Sequence, residues 1–148
     1  MKKKQIKSFY PKKDSLNESW FIYDAKDQVL GRAATDISSL VLGKYMATYT
    51  PGALSRQHVV VINAEKIKVT GRKLTDKKYY RHSGYPGGLK ETSLEHLMVR
   101  KPTEALRKAV NGMLPHNSYG RSLQTNVIYY AGESHKHEAQ QPILFKKG

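Results

Sequence analysis

The run His58-Val-Val-Val-Ile-Asn63 constrains the fold more than any other stretch of the chain. Three adjacent valines followed by isoleucine cannot alternate apolar and polar faces, so a strand made of them must be covered on both sides. That is the situation of a parallel strand lying between layers of helix. Upstream, Trp20-Phe-Ile-Tyr-Asp-Ala25 is a second aromatic and β-branched run. Between the two, Arg32 to Leu42 sets Ala33, Ile37, Leu40 and Val41 at helical spacing, with Gly43 placed to close the helix in a left-handed turn. Strand, helix, strand predicts an α/β fold built on a parallel sheet.

Farther along, Lys66 to Gly71 alternates charged and apolar residues and predicts a half-exposed strand or turn. Thr92 and Glu95 have capping-box spacing ahead of Leu94, Leu97 and Met98, and Pro102 closes that short helix. A further helix from Thr103 to about Leu114 places Leu106, Ala109, Val110, Met113 and Leu114 on one stripe. Arg107 and Lys108 fall largely off it, facing solvent or a partner. Gly112 weakens this helix by about 1 kcal/mol relative to alanine, which predicts a close approach or an early end. Asn111 to Gly120 reads as a helix end running into a polar turn near Arg121, a candidate phosphate contact. Asn126 to Ala131 supplies the last strand.

At 148 residues one domain is the expectation, and its charge is the second strong constraint: 26 Lys+Arg stand against 12 Asp+Glu, a net +14. Residues 1–19 carry +4 of this with little apolar periodicity and read as a flexible basic arm. The remaining +10 belongs to the folded domain, 20–148, so the charge is a property of the body. The absence of cysteine excludes a disulfide framework, a thiolate zinc site, an iron–sulfur cluster and a cysteine nucleophile. No secretory apolar region follows the lysine-rich start, and no run approaches the roughly 18 apolar residues that cross a bilayer. The chain is expected to be soluble and cytoplasmic, with no membrane partner.

Gly71 to Lys90 gathers Arg72, Lys73, Lys77, Lys78, Arg81 and Lys90 against Asp76 alone, interleaved with Tyr79, Tyr80 and Tyr85 and with Gly84, Gly87 and Gly88. Cations neutralise phosphate, phenol rings stack on unpaired bases, and glycines let a backbone approach closely. The competing reading is a solvated hairpin whose tyrosines pack on the sheet. The spacing of a phosphate-cradling nucleotide loop is absent. His135 and His137, beside Glu133 and Glu138, permit a metal or acid/base reading only weakly, and no nucleophile elbow is present. With 19 Lys to 7 Arg, shape-directed binding of a folded RNA is favoured over reading of a DNA groove.

Several separated blocks then carry a resemblance: Val59 to Lys73, Lys77 to Lys90, Gly112 to Pro115, Tyr130 to Gly132 and Ala139 to Pro142, joined by Trp20 to Ala25 and Val29 to Thr35. In this order, from Trp20 to Pro142, they resemble the bacterial L13 family of large-subunit ribosomal proteins. The resemblance implies a three-layer α/β/α fold with a small, mainly parallel central sheet and a basic extended loop or hairpin. It also implies no catalysis, no cofactor, no metal and no small-molecule substrate. The partners it implies are large-subunit ribosomal RNA of the 23S type and neighbouring ribosomal proteins, with a role in early subunit assembly. Carried over by position, the RNA-facing residues are Lys66, Lys68, Arg72, Lys73, Lys77, Lys78, Tyr79, Tyr80, Arg81, His82, Tyr85, Gly87, Gly88 and Lys90, with Arg107, Lys108, Arg121, His135, His137, Gln140 and Gln141 as further candidates. His82 is expected to donate a hydrogen bond. The arm is longer than the usual bacterial start, and Pro51 to Arg56 differs from the more polar or acidic connection of the family, so neither inherits a contact. A small nuclease or RNA-modifying enzyme using His82, His135 or His137 with nearby lysines, and a translational regulator binding messenger RNA, are the alternative readings.

Overall fold

The computed structural model describes residues 9–12 and 17–145, so most of the arm expected at 1–19 lies outside the described residues. The opening unit is strand β1 (Ser19–Asp24), helix α1 (Leu30–Leu42) and strand β2 (Gln57–Ile62). The two strands pair in parallel, with Trp20 beside His58 and Ile22 beside Val60. Strand β5 (Val127–Tyr129) adds to the far side of β2, and the two-residue β6 (Ile143–Leu144) adds to the far side of β1, giving the parallel order β5-β2-β1-β6.

As the valine run requires, Val59, Val60 and Val61 are all 0% exposed. Val59 and Val61 share a cluster with Tyr23 and Val127 of the sheet, with Ala33, Ile37 and Val41 of α1, and with Leu106 and Val110 of helix α4 (Glu104–Met113). Val60 points to the opposite face, where Trp20 stacks on His58 at 4.4 Å between ring centroids and on His137 at 5.3 Å. The architecture is α/β with a mainly parallel central sheet and is consistent with three layers.

Helix α1 begins at Leu30, slightly earlier than its periodicity predicts, and ends as expected at Gly43. Gly43 adopts φ 71°, its N–H donates to the Leu40 carbonyl and the Lys44 N–H to that of Ser39, which closes the last turn in the Schellman manner. The connection around Pro51 to Arg56 packs back on this helix through a hydrogen bond from the Ser55 hydroxyl to the Val41 carbonyl.

The second part of the chain departs more from expectation. Lys66 to Gly71 forms no regular strand: a 3-10 turn (Ala64–Lys66) is followed by a lone parallel bridge between Val29 and Lys68 that buries Ile67. Helix α2 (Lys73–Asp76) leads into an antiparallel ribbon of β3 (Lys78–His82) and β4 (Leu89–Ser93). Helix α3 (Leu94–Arg100) is capped by Ser93, whose hydroxyl accepts from the His96 N–H at 3.4 Å. Thr92 is occupied one position earlier, opposite Tyr79 in the ribbon. The turn expected near Arg121 is instead helix α5 (Ser118–Thr125), started by Asn117, whose side-chain oxygen accepts from the Gly120 N–H at 2.9 Å.

Candidate nucleic-acid interface

The ribbon packs on α2 and α3 through β4, with Lys108 of α4 reaching the Tyr79 ring, and is a separate sheet from the central one. Its strands are largely exposed because their sequence offers charged, hydroxyl, imidazole or phenol side chains at every position but Leu89. The turn closes on itself through Ser83 N–H to Gly88 C=O at 3.2 Å and Gly88 N–H to Tyr85 C=O at 2.9 Å. Gly84 and Gly87 take φ 91° and 70°, and a Cβ on Gly88 would lie 2.8 Å from the Tyr85 carbonyl oxygen. These glycines therefore have an internal reason in the turn itself.

Register fixes what each side chain does. Arg81 lies directly opposite Lys90, a like-charge pair that repels across the strands. Tyr80 and Tyr85 are 63% and 77% exposed. Tyr79 turns the other way: the ammonium groups of Lys77 and Lys108 lie 5.6 Å and 5.4 Å from its ring centroid, and burial raises its phenol above the ordinary value. His82 accepts at Nδ1 from the Gly84 N–H at 2.9 Å, which leaves Nε2 as the outward donor.

Among the described residues three predicted cations form ion pairs. Lys68 contacts Asp27 at 2.9 Å, Lys78 contacts Glu91 at 2.5 Å, and Arg107 contacts Glu104 at 3.8 Å. The Glu91 hydrogen bond holds the Lys78 ammonium above its ordinary value, and the Lys68 hydrogen bond holds the Asp27 carboxyl below its own. Lys66, Arg72, Lys73, Arg81 and Lys90 are exposed and make no ion pair among the described residues. A groove of about 210 Å³ beside the ribbon brings Arg81 and Lys108 together with Arg100 and Lys101. Sequence reasoning missed the last two; an Arg-Lys pair placed at the end of a helical stripe and before Pro102 was the available signal.

The remaining candidates sit elsewhere. Arg121 is exposed on α5. His135 and His137 are half-buried: His135 Nδ1 accepts from the His137 N–H at 3.2 Å, and His137 is committed to the Trp20 and Tyr130 rings. Gln140 and Gln141 lie on an exposed turn, with Gln141 at φ 46°. Among the described residues no group of three or more His, Cys, Asp or Glu side chains could hold a metal ion, and no helix is long and apolar enough to cross a membrane.

Comparison with known proteins sets this geometry in context. A family model described as Ribosomal protein L13 matches residues 18–136. The chain is 50% identical over 137 residues to the large ribosomal subunit protein uL13 of Nitratidesulfovibrio vulgaris strain Hildenborough, covering 93% of this chain and 95% of that one. It is 49% identical over 137 residues to the uL13 of Acholeplasma laidlawii, with 93% and 96% covered. To the uL13 of Ectopseudomonas mendocina it is 47% identical over 141 residues, with 95% and 99% covered.

Proposed function

The chain belongs to the ribosomal protein L13 family, a structural family and not one of enzymes, and from that premise we propose that it binds large-subunit ribosomal RNA through the β3–β4 ribbon and the basic helix ends beside it. In the cytoplasmic ribosome it supports early assembly of the large subunit alongside neighbouring ribosomal proteins. The observation that carries this reading is the Arg81–Lys90 pair. A free protein gains nothing from two cations facing each other across an exposed ribbon, whereas a phosphate chain laid over them removes the repulsion and releases counterions.

Around that pair the surface supplies the other elements of RNA recognition. Tyr80 and Tyr85 present rings free to stack, His82 offers an Nε2–H donor, and Arg100, Lys101 and Lys108 extend the positive surface along the adjoining groove. Lys78 and Arg107 supply a smaller share, since each already has a carboxylate partner.

The test is filter binding of the full chain to transcribed large-subunit RNA over a salt series. Replacing Lys77, Arg81 and Lys90 together by alanine is expected to flatten the dependence of log affinity on log salt by about two to three units, one for each phosphate that is no longer neutralised. An unchanged slope would remove the ribbon from the binding face.

A further inference from the structure

We propose that the cleft between the N-terminal turn of α1 and the C-terminal end of α4 receives one nucleotide unit of an RNA strand. Its phosphate lies among Lys73, Lys77 and Lys108, and its sugar and base lie against the apolar floor. The inference rests on the RNA-binding reading above and gives it a specific seat.

The cleft measures about 400 Å³, within the roughly 300–1,000 Å³ of pockets that hold small ligands. Three elements each contribute one lysine to its lining: Lys73 from α2, Lys77 from the residue before β3, and Lys108 from α4, the last two with ammonium groups that also lie over the Tyr79 ring. No acidic side chain among the described residues lines it. The floor is apolar and includes Val69 and Met113, whose sulfur is pinned 3.6 Å from the Thr35 hydroxyl across on α1. A cationic rim above an apolar floor matches a ligand that is anionic at one end and flat and weakly polar at the other, as a nucleotide is.

Two glycines make the stronger argument. Gly31 lies in the first turn of α1 and Gly112 in the last turn of α4, and both line this cleft. Glycine is a poor helix former, and neither residue has a positive φ that would excuse it. A Cβ added at either would meet nothing within 4 Å. Gly120 is the contrast, since a Cβ there would lie 1.7 Å from the Pro115 carbonyl oxygen. Nothing among the described residues requires Gly31 or Gly112, and together they keep open the facing walls of one cleft. The first turn of α1 adds to the positive field, having no acidic residue and no side-chain cap at Val29.

The experiment fills the cleft without touching its cations. Gly31→Phe and Gly112→Phe are compatible with helix, and circular dichroism with thermal melting establishes that each variant folds. Each is expected to bind transcribed large-subunit RNA about tenfold or more weakly than the parent, the loss expected for one displaced stacked base, with its salt slope kept. Parental affinity in both folded variants overturns the inference. In parallel, the parent chain labelled at its methionine methyls is titrated with adenosine monophosphate; Met113 is expected to shift while Met46, remote from the cleft, does not. Should either variant fail to fold, an unmoved Met113 overturns the inference. A parent chain that binds no ribosomal RNA would instead defeat the broader reading.

Discussion

At Gly120 the missing side chain does as much as any side chain present. The residue is buried in α5, its N–H is held by the Asn117 cap, and the Pro115 carbonyl oxygen occupies the place a Cβ would take. Gly120→Ala must push the Pro115 turn away from the helix, because the obstacle is backbone and cannot rotate aside. A stability loss of about 1–3 kcal/mol is expected, measured by urea unfolding. Nothing in the local sequence announces this, since the crowding depends on the path of the turn between α4 and α5. Gly43 was legible for the opposite reason: a glycine at the end of an apolar helical stripe has a purely local explanation. The three ribbon tyrosines fall between these cases. Their chemistry could be read directly, but which of them faces inward depends on the hairpin register that pairs Tyr79 with Thr92 and Tyr80 with Glu91.

Among the elements, β2 could be read from its composition alone because a run of valines is stable only when covered on both faces. Helix α5 escaped notice because Ser118 to Thr125 is polar and short, and it owes its form to the Asn117 cap and the packing of Leu123 in the core. The ribbon is the element at odds with its own stability. Arg81→Glu would place opposite charges across from each other at Arg81 and Lys90, and is expected to stabilise the free chain by about 0.2–1 kcal/mol. The same change is expected to weaken binding to large-subunit RNA. Thermal melting and filter binding on one protein sample check both signs, and a variant that melts lower and binds as the parent does would contradict the role given to the pair.

For the molecule as a whole, the sequence revealed the charge of the folded body but not the route of the C-terminal segment, because the rings that fasten it, Trp20, His58 and His137, are far apart in the chain. Burial holds the His58 imidazole below its ordinary 6.5, with Glu18 at 3.4 Å pulling the other way. At neutral pH the ring is therefore neutral and its contact with Glu18 is not an ion pair. Because the folded form disfavours the protonated ring, stability is fully present above the ordinary value of 6.5 and declines as pH falls through the lower folded-state value. Melting temperature should therefore drop as pH is lowered from neutrality through the ordinary histidine range, and His58→Gln should flatten that drop; equal slopes in parent and variant would remove His58 as the cause. The fastening also sets an order of events during synthesis. Strand β1 has its inner neighbour β2 close behind it in the chain, but its outer neighbour is β6, whose ladder is completed when the Phe145 N–H reaches the Ile22 carbonyl. A nascent chain still short of Ile143 carries an open β1 edge, and truncation at Pro142 would leave every copy of the protein with that edge bare.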